Sequence, residues 1–121
     1  MDFSTSKLGL EGEERAVEYL KDKGYEIVCR NYRYGKGEID IIAHDGDELV
    51  FIEVKTRSNE AFGHPVYALT QSKQKQIIRI AKSYLHERDI TDKIVRFDVI
   101  TIEHEGGREV LEHIKDAFME R

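Results

Sequence analysis

Glu38, Asp40, Glu53 and Lys55 sit two apart within two apolar-rich runs, Glu38 to His44 and Asp47 to Thr56. In a strand, alternate side chains share a face, and the Asp45-Gly46 pair between the runs favours a two-residue hairpin turn. With Asp45 and Gly46 as the turn residues, His44 faces Asp47, Glu38 faces Glu53, and Asp40 lies diagonal to Glu53. One face then collects Ile39, Ile41, Ala43, Val50, Ile52 and Val54. The other collects Ile42, Leu49 and Phe51 near the turn and the four charged residues away from it. Opposed carboxylates destabilise a strand pair unless something positive lies among them. Lys55 supplies one positive charge. A hard divalent cation such as Mg²⁺, which takes a few carboxylate oxygens and keeps several waters, supplies more. Zinc is a poorer match, because His44, His64, His86, His104 and His113 are scattered and Cys29 has no partner at ligand spacing. A solvated strand end with a weak Glu53 to Lys55 surface pair, worth about 0–1 kcal/mol, accounts for any one of these residues. It does not account for their confinement to one end of one face.

The remaining chain supplies elements to hold that hairpin. Ala16, Val17 and Leu20 recur at helical spacing between Glu11 and Lys23, and Gly24 is placed to end that helix in a left-handed conformation. Tyr25 to Tyr34 reads as a strand, and Gly35 and Gly37 mark a turn. Arg57 to Ala68 is polar and reads as a loop. Thr70 to Arg88 carries Ile77, Ile78, Ala81, Tyr84 and Leu85 on one stripe, with Thr70 or Ser72 as the N-cap. Val95 to Glu103 reads as a further strand, and Gly106-Gly107 separates it from a short C-terminal helix around Glu109 to Met119. The order is α/β with a mixed sheet flanked by helices.

Length fits one domain over residues 1–121, with no repeat or linker and a single proline, Pro65. No apolar run approaches the roughly 20 residues that cross a bilayer. Met1 to Lys7 lacks a secretory pattern and the single cysteine forms no internal disulfide, so a cytoplasmic address and no membrane partner are expected. The net charge of -5 argues against tight, indiscriminate duplex binding. That total is uneven: Thr70 to Arg88 has five bases against one acid, whereas Asp89 to Arg121 has nine acids against five bases.

The residues around the acids carry a wider resemblance. Asp40 followed by Glu53-Val54-Lys55 looks like the Asp and Glu-x-Lys signature of the restriction-endonuclease-like PD-(D/E)XK nucleases, with Ile39 in place of the proline before the aspartate. Gly12-Glu13-Glu14-Arg15-Ala16, Arg30-Asn31-Tyr32-Arg33, Gly37-Glu38-Ile39-Asp40-Ile41, Val50-Phe51-Ile52-Glu53-Val54-Lys55-Thr56-Arg57, Ser72-Lys73-Gln74 and Arg96-Phe97-Asp98-Val99-Ile100 resemble the YraN family of small bacterial proteins. That likeness extends over nearly the whole chain. It implies a restriction-endonuclease-like αβββαβ core similar to that of archaeal Holliday junction resolvases. It also implies that Asp40 and Glu53 are metal-binding acids, Lys55 the catalytic lysine, and Glu13 the family's glutamate in the first helix. Independently, Glu13 falls on the stripe of Val17 and Leu20, where an unpaired buried acid is costly. A first-turn acid favoured by the helix dipole is the alternative for it.

The expected chemistry is cleavage of phosphodiester bonds in DNA, with branched, damaged or single-stranded structures as substrates. Asp40, Glu53 and the Val54 carbonyl are expected to hold Mg²⁺ or Mn²⁺, Glu13 to assist, and Lys55 to orient water and stabilise developing negative charge. Arg30, Arg33, Lys36, Arg57, Lys73 and Arg79 are the candidate phosphate contacts, Lys73 on the resemblance alone. Tyr32 and Tyr34 can stack on unpaired bases or pack in a core. Asp98 reads as a structural acid bound to a nearby arginine or backbone group. A homodimer is expected by analogy with the resolvases. The competing expectation is a nucleic-acid-binding accessory protein without turnover; a carboxylate-pair glycosidase leaves Lys55 and the basic segments unexplained.

Overall fold

The computed structural model describes residues 3–57 and 69–120, with side chains from Leu10 onward and excluding that of Glu105. The expected loop lies, beyond Arg57, outside the described residues. The elements are α1 (Phe3–Asp22), β1 (Glu26–Tyr34), β2 (Gly37–Asp45), β3 (Glu48–Arg57), α2 (Gln71–Glu87), β4 (Ile94–Glu105) and β5 (Arg108–Phe118). The expected αβββαβ succession is present, and the strands form one mixed sheet in the order β1-β2-β3-β4-β5. Among the described strands only β3 and β4 run parallel, with α2 lying between them as the crossover.

The two helices pack on opposite faces. Ala16, Val17 and Leu20 of α1 meet Ile41, Ala43, Val50, Ile52, Ile100 and Ile102. Ile77, Ile80, Ala81 and Tyr84 of α2 meet Ile39, Ile42, Leu49, Phe51, Phe97 and Val99. Leu49 to Ile52 is buried throughout, as a strand covered on both faces requires. Gly24, at φ 92°, ends α1 as expected. Thr70 is the N-cap of α2, its Oγ1 accepting the Lys73 N–H at 3.1 Å. Two glycines bring the helices close to the strands. A Cβ on Gly12 of α1 would lie 2.2 Å from Thr56 Oγ1, and one on Gly37 of β2 would lie 2.7 Å from Ile80 Cδ1.

Three expectations are corrected. The hairpin pairs Asp45 with Glu48 and Ile41 with Ile52, so Gly46 and Asp47 are the turn residues and His44 faces Leu49, not Asp47. Only Gly46 there has positive φ, which suits glycine as the first central residue, and Asp45 is kept in the strand by its contact with Arg96 at 3.0 Å. This two-residue shift preserves which side chains share a face, except that Ile39 packs in the α2 layer rather than beside Ile41. The alternation skips at Asn31 and Asp40, between the pairs Arg30 to Ile41 and Tyr32 to Ile39, where Asn31 has φ 56°. Finally, the C-terminal segment is the strand β5, not a helix. Gly106 and Gly107, both at positive φ, reverse the chain onto β4, and β5 carries two extra residues between its partners of Phe97 and Val99. Leu111, Ile114 and Phe118 mimic helical spacing because this bulge interrupts strand alternation.

Asp98 is fully buried. It accepts hydrogen bonds from Arg96 Nε at 2.9 Å, Arg96 Nη2 at 3.0 Å and the Asp116 N–H at 3.0 Å, and contacts His113 Nε2 at 2.7 Å. Burial opposes its charge, but these partners prevail and hold its pKa below the ordinary value. It is the structural acid expected, and Arg96 ties it to Asp45, Glu48 and Tyr25.

Candidate metal centre

The site forms where β2 and β3 part company. Their pairing ends at Ile41 and Ile52, leaving Asp40 and Glu53 one residue beyond the last matched pair. The Glu38 to Glu53 opposition expected from the sequence is therefore replaced by proximity of Asp40 and Glu53. β3 continues along β4 to Arg57, so its Val54 N–H needs an acceptor on the side that β2 has left. Asp40 Oδ2 supplies it at 2.8 Å. Both acids are 8% exposed and close enough that the charge of Asp40 acts on Glu53.

Groups from both helices converge on this gap. From α1, half-buried Glu13 contacts Asp40 and accepts a hydrogen bond from Asn31 Nδ2 at 3.2 Å. Glu13, Glu38 and Asp40 can each offer an oxygen within 4.8 Å of the others. From the first turn of α2, Lys73 Nζ lies 3.8 Å from Glu53 Oε2. Lys55 is half-buried, and its charge acts on both Asp40 and Glu53. A continuous chain of contacts thus runs from α1 through Glu13, Asp40, Glu53 and Lys73 to α2. Glu38 joins the cluster as its place among the charged residues of that face suggests, whereas Asn31 escaped the sequence reading. An asparagine inside a strand run, where that residue is disfavoured but tolerates positive φ, is the signal that marks Asn31.

Crowded acids hold protons. Burial, followed by the charges of Asp40 and Glu38, pushes Glu13 up to about 7, with Arg30 opposing. Burial, followed by the charge of Asp40, pushes Glu53 up to about 8 against the pull of Lys73 and Lys55. Asp40 is also raised by burial, but the Val54 N–H and the lysines resist. Asp40 is therefore the member best placed to stay ionised, and Glu13 and Glu53 take up protons more readily. A divalent cation can replace such protons as the compensating charge. Oxygen-only donors fit a hard cation, and among the described residues no His or Cys joins the group.

The candidate phosphate contacts are less uniform. Arg33 lies 3.4 Å from Glu38 and Arg30 pairs with the exposed Glu14 at 2.9 Å, both on β1 beside the acids. Lys36 is exposed in the turn before Gly37. Arg57, two residues past Lys55, lies 3.9 Å from Glu103 on β4. Arg79 is six residues beyond Lys73 and lines a separate groove of about 610 Å³ with Lys75, Lys82 and Met119. Tyr32 packs in the α2 layer, as the core alternative anticipated.

Residues 12–102 match the model of the uncharacterised protein family UPF0102, a span that includes every member of the acidic centre. A UPF0102 protein of Chlorobium limicola is 48% identical, with the match covering 99% of this chain and 98% of that one. A UPF0102 protein of Chlorobaculum tepidum is 50% identical over 93% of this chain and 92% of its own, and one of Caldicellulosiruptor saccharolyticus 45% identical over 93% and 97%.

Proposed function

The chain belongs to the uncharacterised protein family UPF0102, the YraN family, and on that premise we propose that it is a metal-dependent endonuclease acting on DNA. The observation that carries the reading is a buried acid pair, Asp40 and Glu53, joined by Glu13 and Glu38 and flanked by Lys55.

Asp40 and Glu53, assisted by Glu13 and Glu38, would hold Mg²⁺ or Mn²⁺; Val54 contributes through the N–H that fixes Asp40 and, as a further ligand, its carbonyl. When bound, such an ion activates water and neutralises charge on the phosphate and the leaving oxygen. The reaction is hydrolysis: water oxygen bonds to phosphorus, one P–O ester bond breaks, and a phosphomonoester and a hydroxyl end result. The Lys55 ammonium orients the water and stabilises negative charge as it develops on phosphate oxygen. Lys73 offsets the charge of Glu53, and Arg30, Arg33 and Lys36 attract the DNA backbone in a salt-dependent way.

Calorimetric or NMR titration with Mg²⁺ and Mn²⁺ tests the reading. Saturable binding that is lost in a folded Asp40→Asn variant is expected. Failure to bind either ion favours a nucleic-acid-binding role without turnover.

A further inference from the structure

We infer that Tyr34 is a stacking platform for an unpaired base beside the acidic centre, making the substrate class nucleic acid with a single-stranded segment next to the cleaved bond. The inference rests on the endonuclease reading of that centre.

β1 carries two tyrosines, two residues apart. Tyr32 is fully used by the protein: its ring meets the edge of Tyr84 at 5.2 Å, its hydroxyl donates to Glu87 at 2.8 Å, and the Arg88 guanidinium lies 5.6 Å above it. Tyr34 is 49% exposed, and among the described residues it makes no ring contact or hydrogen bond. It is the last residue of an edge strand, and its cross-strand partner is Gly37, which has no side chain to cover it. Gly37 is itself kept bare, because a Cβ there would strike Ile80 and Gln76 of α2. The ring is thus left open by the packing that sets the start of β2.

Its neighbours suit a nucleotide. Lys36 is exposed and, among the described residues, has no ion pair, while the Arg33 side chain is 79% exposed. Three residues of strand separate Gly37 from Asp40, about 10 Å, or roughly three base steps at ~3.4 Å each. In a duplex the base faces are covered by their neighbours. A tyrosine ring therefore stacks only on a base whose face is open, and such stacking tolerates any sequence.

Anisotropy of a labelled single-stranded oligonucleotide and of a blunt duplex tests this in the full chain, with Mg²⁺ present and Asp40→Asn in every sample to prevent cleavage. Adding Tyr34→Ala should weaken single-strand binding about 5- to 150-fold and leave duplex binding unchanged, whereas Tyr34→Phe retains the parent affinity. Unchanged single-strand affinity, equal losses on both DNAs, or a changed oligomeric state in Tyr34→Ala overturns the inference. If wild type cleaves DNA while Tyr34→Ala binds like its parent, Tyr34 alone is excluded. If wild type neither cleaves nor binds either DNA, the endonuclease reading and the stacking role fall together.

Discussion

The Asp40 carboxylate accepts the backbone N–H of Val54 at 2.8 Å, so an acid on β2 closes the hydrogen-bond gap that β2 opens by leaving β3. The same bond fixes the carboxylate and favours its ionised form. A structural device and a ligand-holding device therefore share one side chain. Asparagine keeps an acceptor for Val54 while removing the charge, which makes Asp40→Asn more informative than alanine.

The metal-free protein should lose stability as pH rises. Glu13 and Glu53 titrate near 4.5 when unfolded but at about 7 and about 8 in the fold, so between those limits the folded state binds more protons. The contribution of these groups is intact below pH 4.5 and declines up to about pH 8, on the order of a few kcal/mol in all. Thermal melts in chelator should give a higher Tm at pH 5 than at pH 8.5, and Glu53→Gln should flatten the slope. Added Mg²⁺ should raise Tm most at pH 8.5. A wild-type Tm that climbs from pH 5 to 8.5 in chelator contradicts this account of the acids.

Asp98→Asn should destabilise the fold by about 1–3 kcal/mol, because it removes the fully buried carboxylate that accepts from Arg96 and the Asp116 N–H and leaves Arg96 to the more exposed Asp45 and Glu48. Urea denaturation measures this. Asp98 holds its charge through a lowered pKa, so wild-type stability should also fall as pH drops below 3.8. A loss well under 1 kcal/mol would show that Asp45 and Glu48 alone satisfy Arg96.

Gly12→Ala should cost about 1–3 kcal/mol by overpacking and also weaken Mg²⁺ binding, since the displaced segment of α1 carries Glu13. Thr56 is β-branched, so turning its hydroxyl away brings its methyl toward the new Cβ. Thr56→Ala should restore both stability and binding in the double variant. Failure of that rescue places the strain elsewhere.

Much of this was legible because local pattern and tertiary packing agree. The stripe through Ile77, Ala81 and Tyr84 specifies α2, and the apolar runs on either side of Gly46 specify β2 and β3. The turn register was not legible, because an Asp-Gly pair fits more than one hairpin and the choice rests on Asp45 meeting Arg96, fifty-one residues away. β5 was misread because its bulge gives apolar residues helical spacing. Within the candidate centre, Asp40, Glu53 and Lys55 follow from alternation and the resemblance. Glu38 shares that alternation, although its partner is not Glu53, whereas Asn31 and the Lys73 to Glu53 contact depend on where β1 and α2 come to rest, which no local spacing encodes.

The most direct measurement is cleavage of a labelled panel of branched, flap, single-stranded and duplex DNA with Mg²⁺ or Mn²⁺, comparing wild type with Asp40→Asn and Lys55→Ala. Divalent-dependent cleavage by wild type, abolished by chelator and reduced at least about 100-fold in both variants, is the predicted result. Equal cleavage by wild type and either variant, or none by wild type on any structure with either ion, would contradict the account.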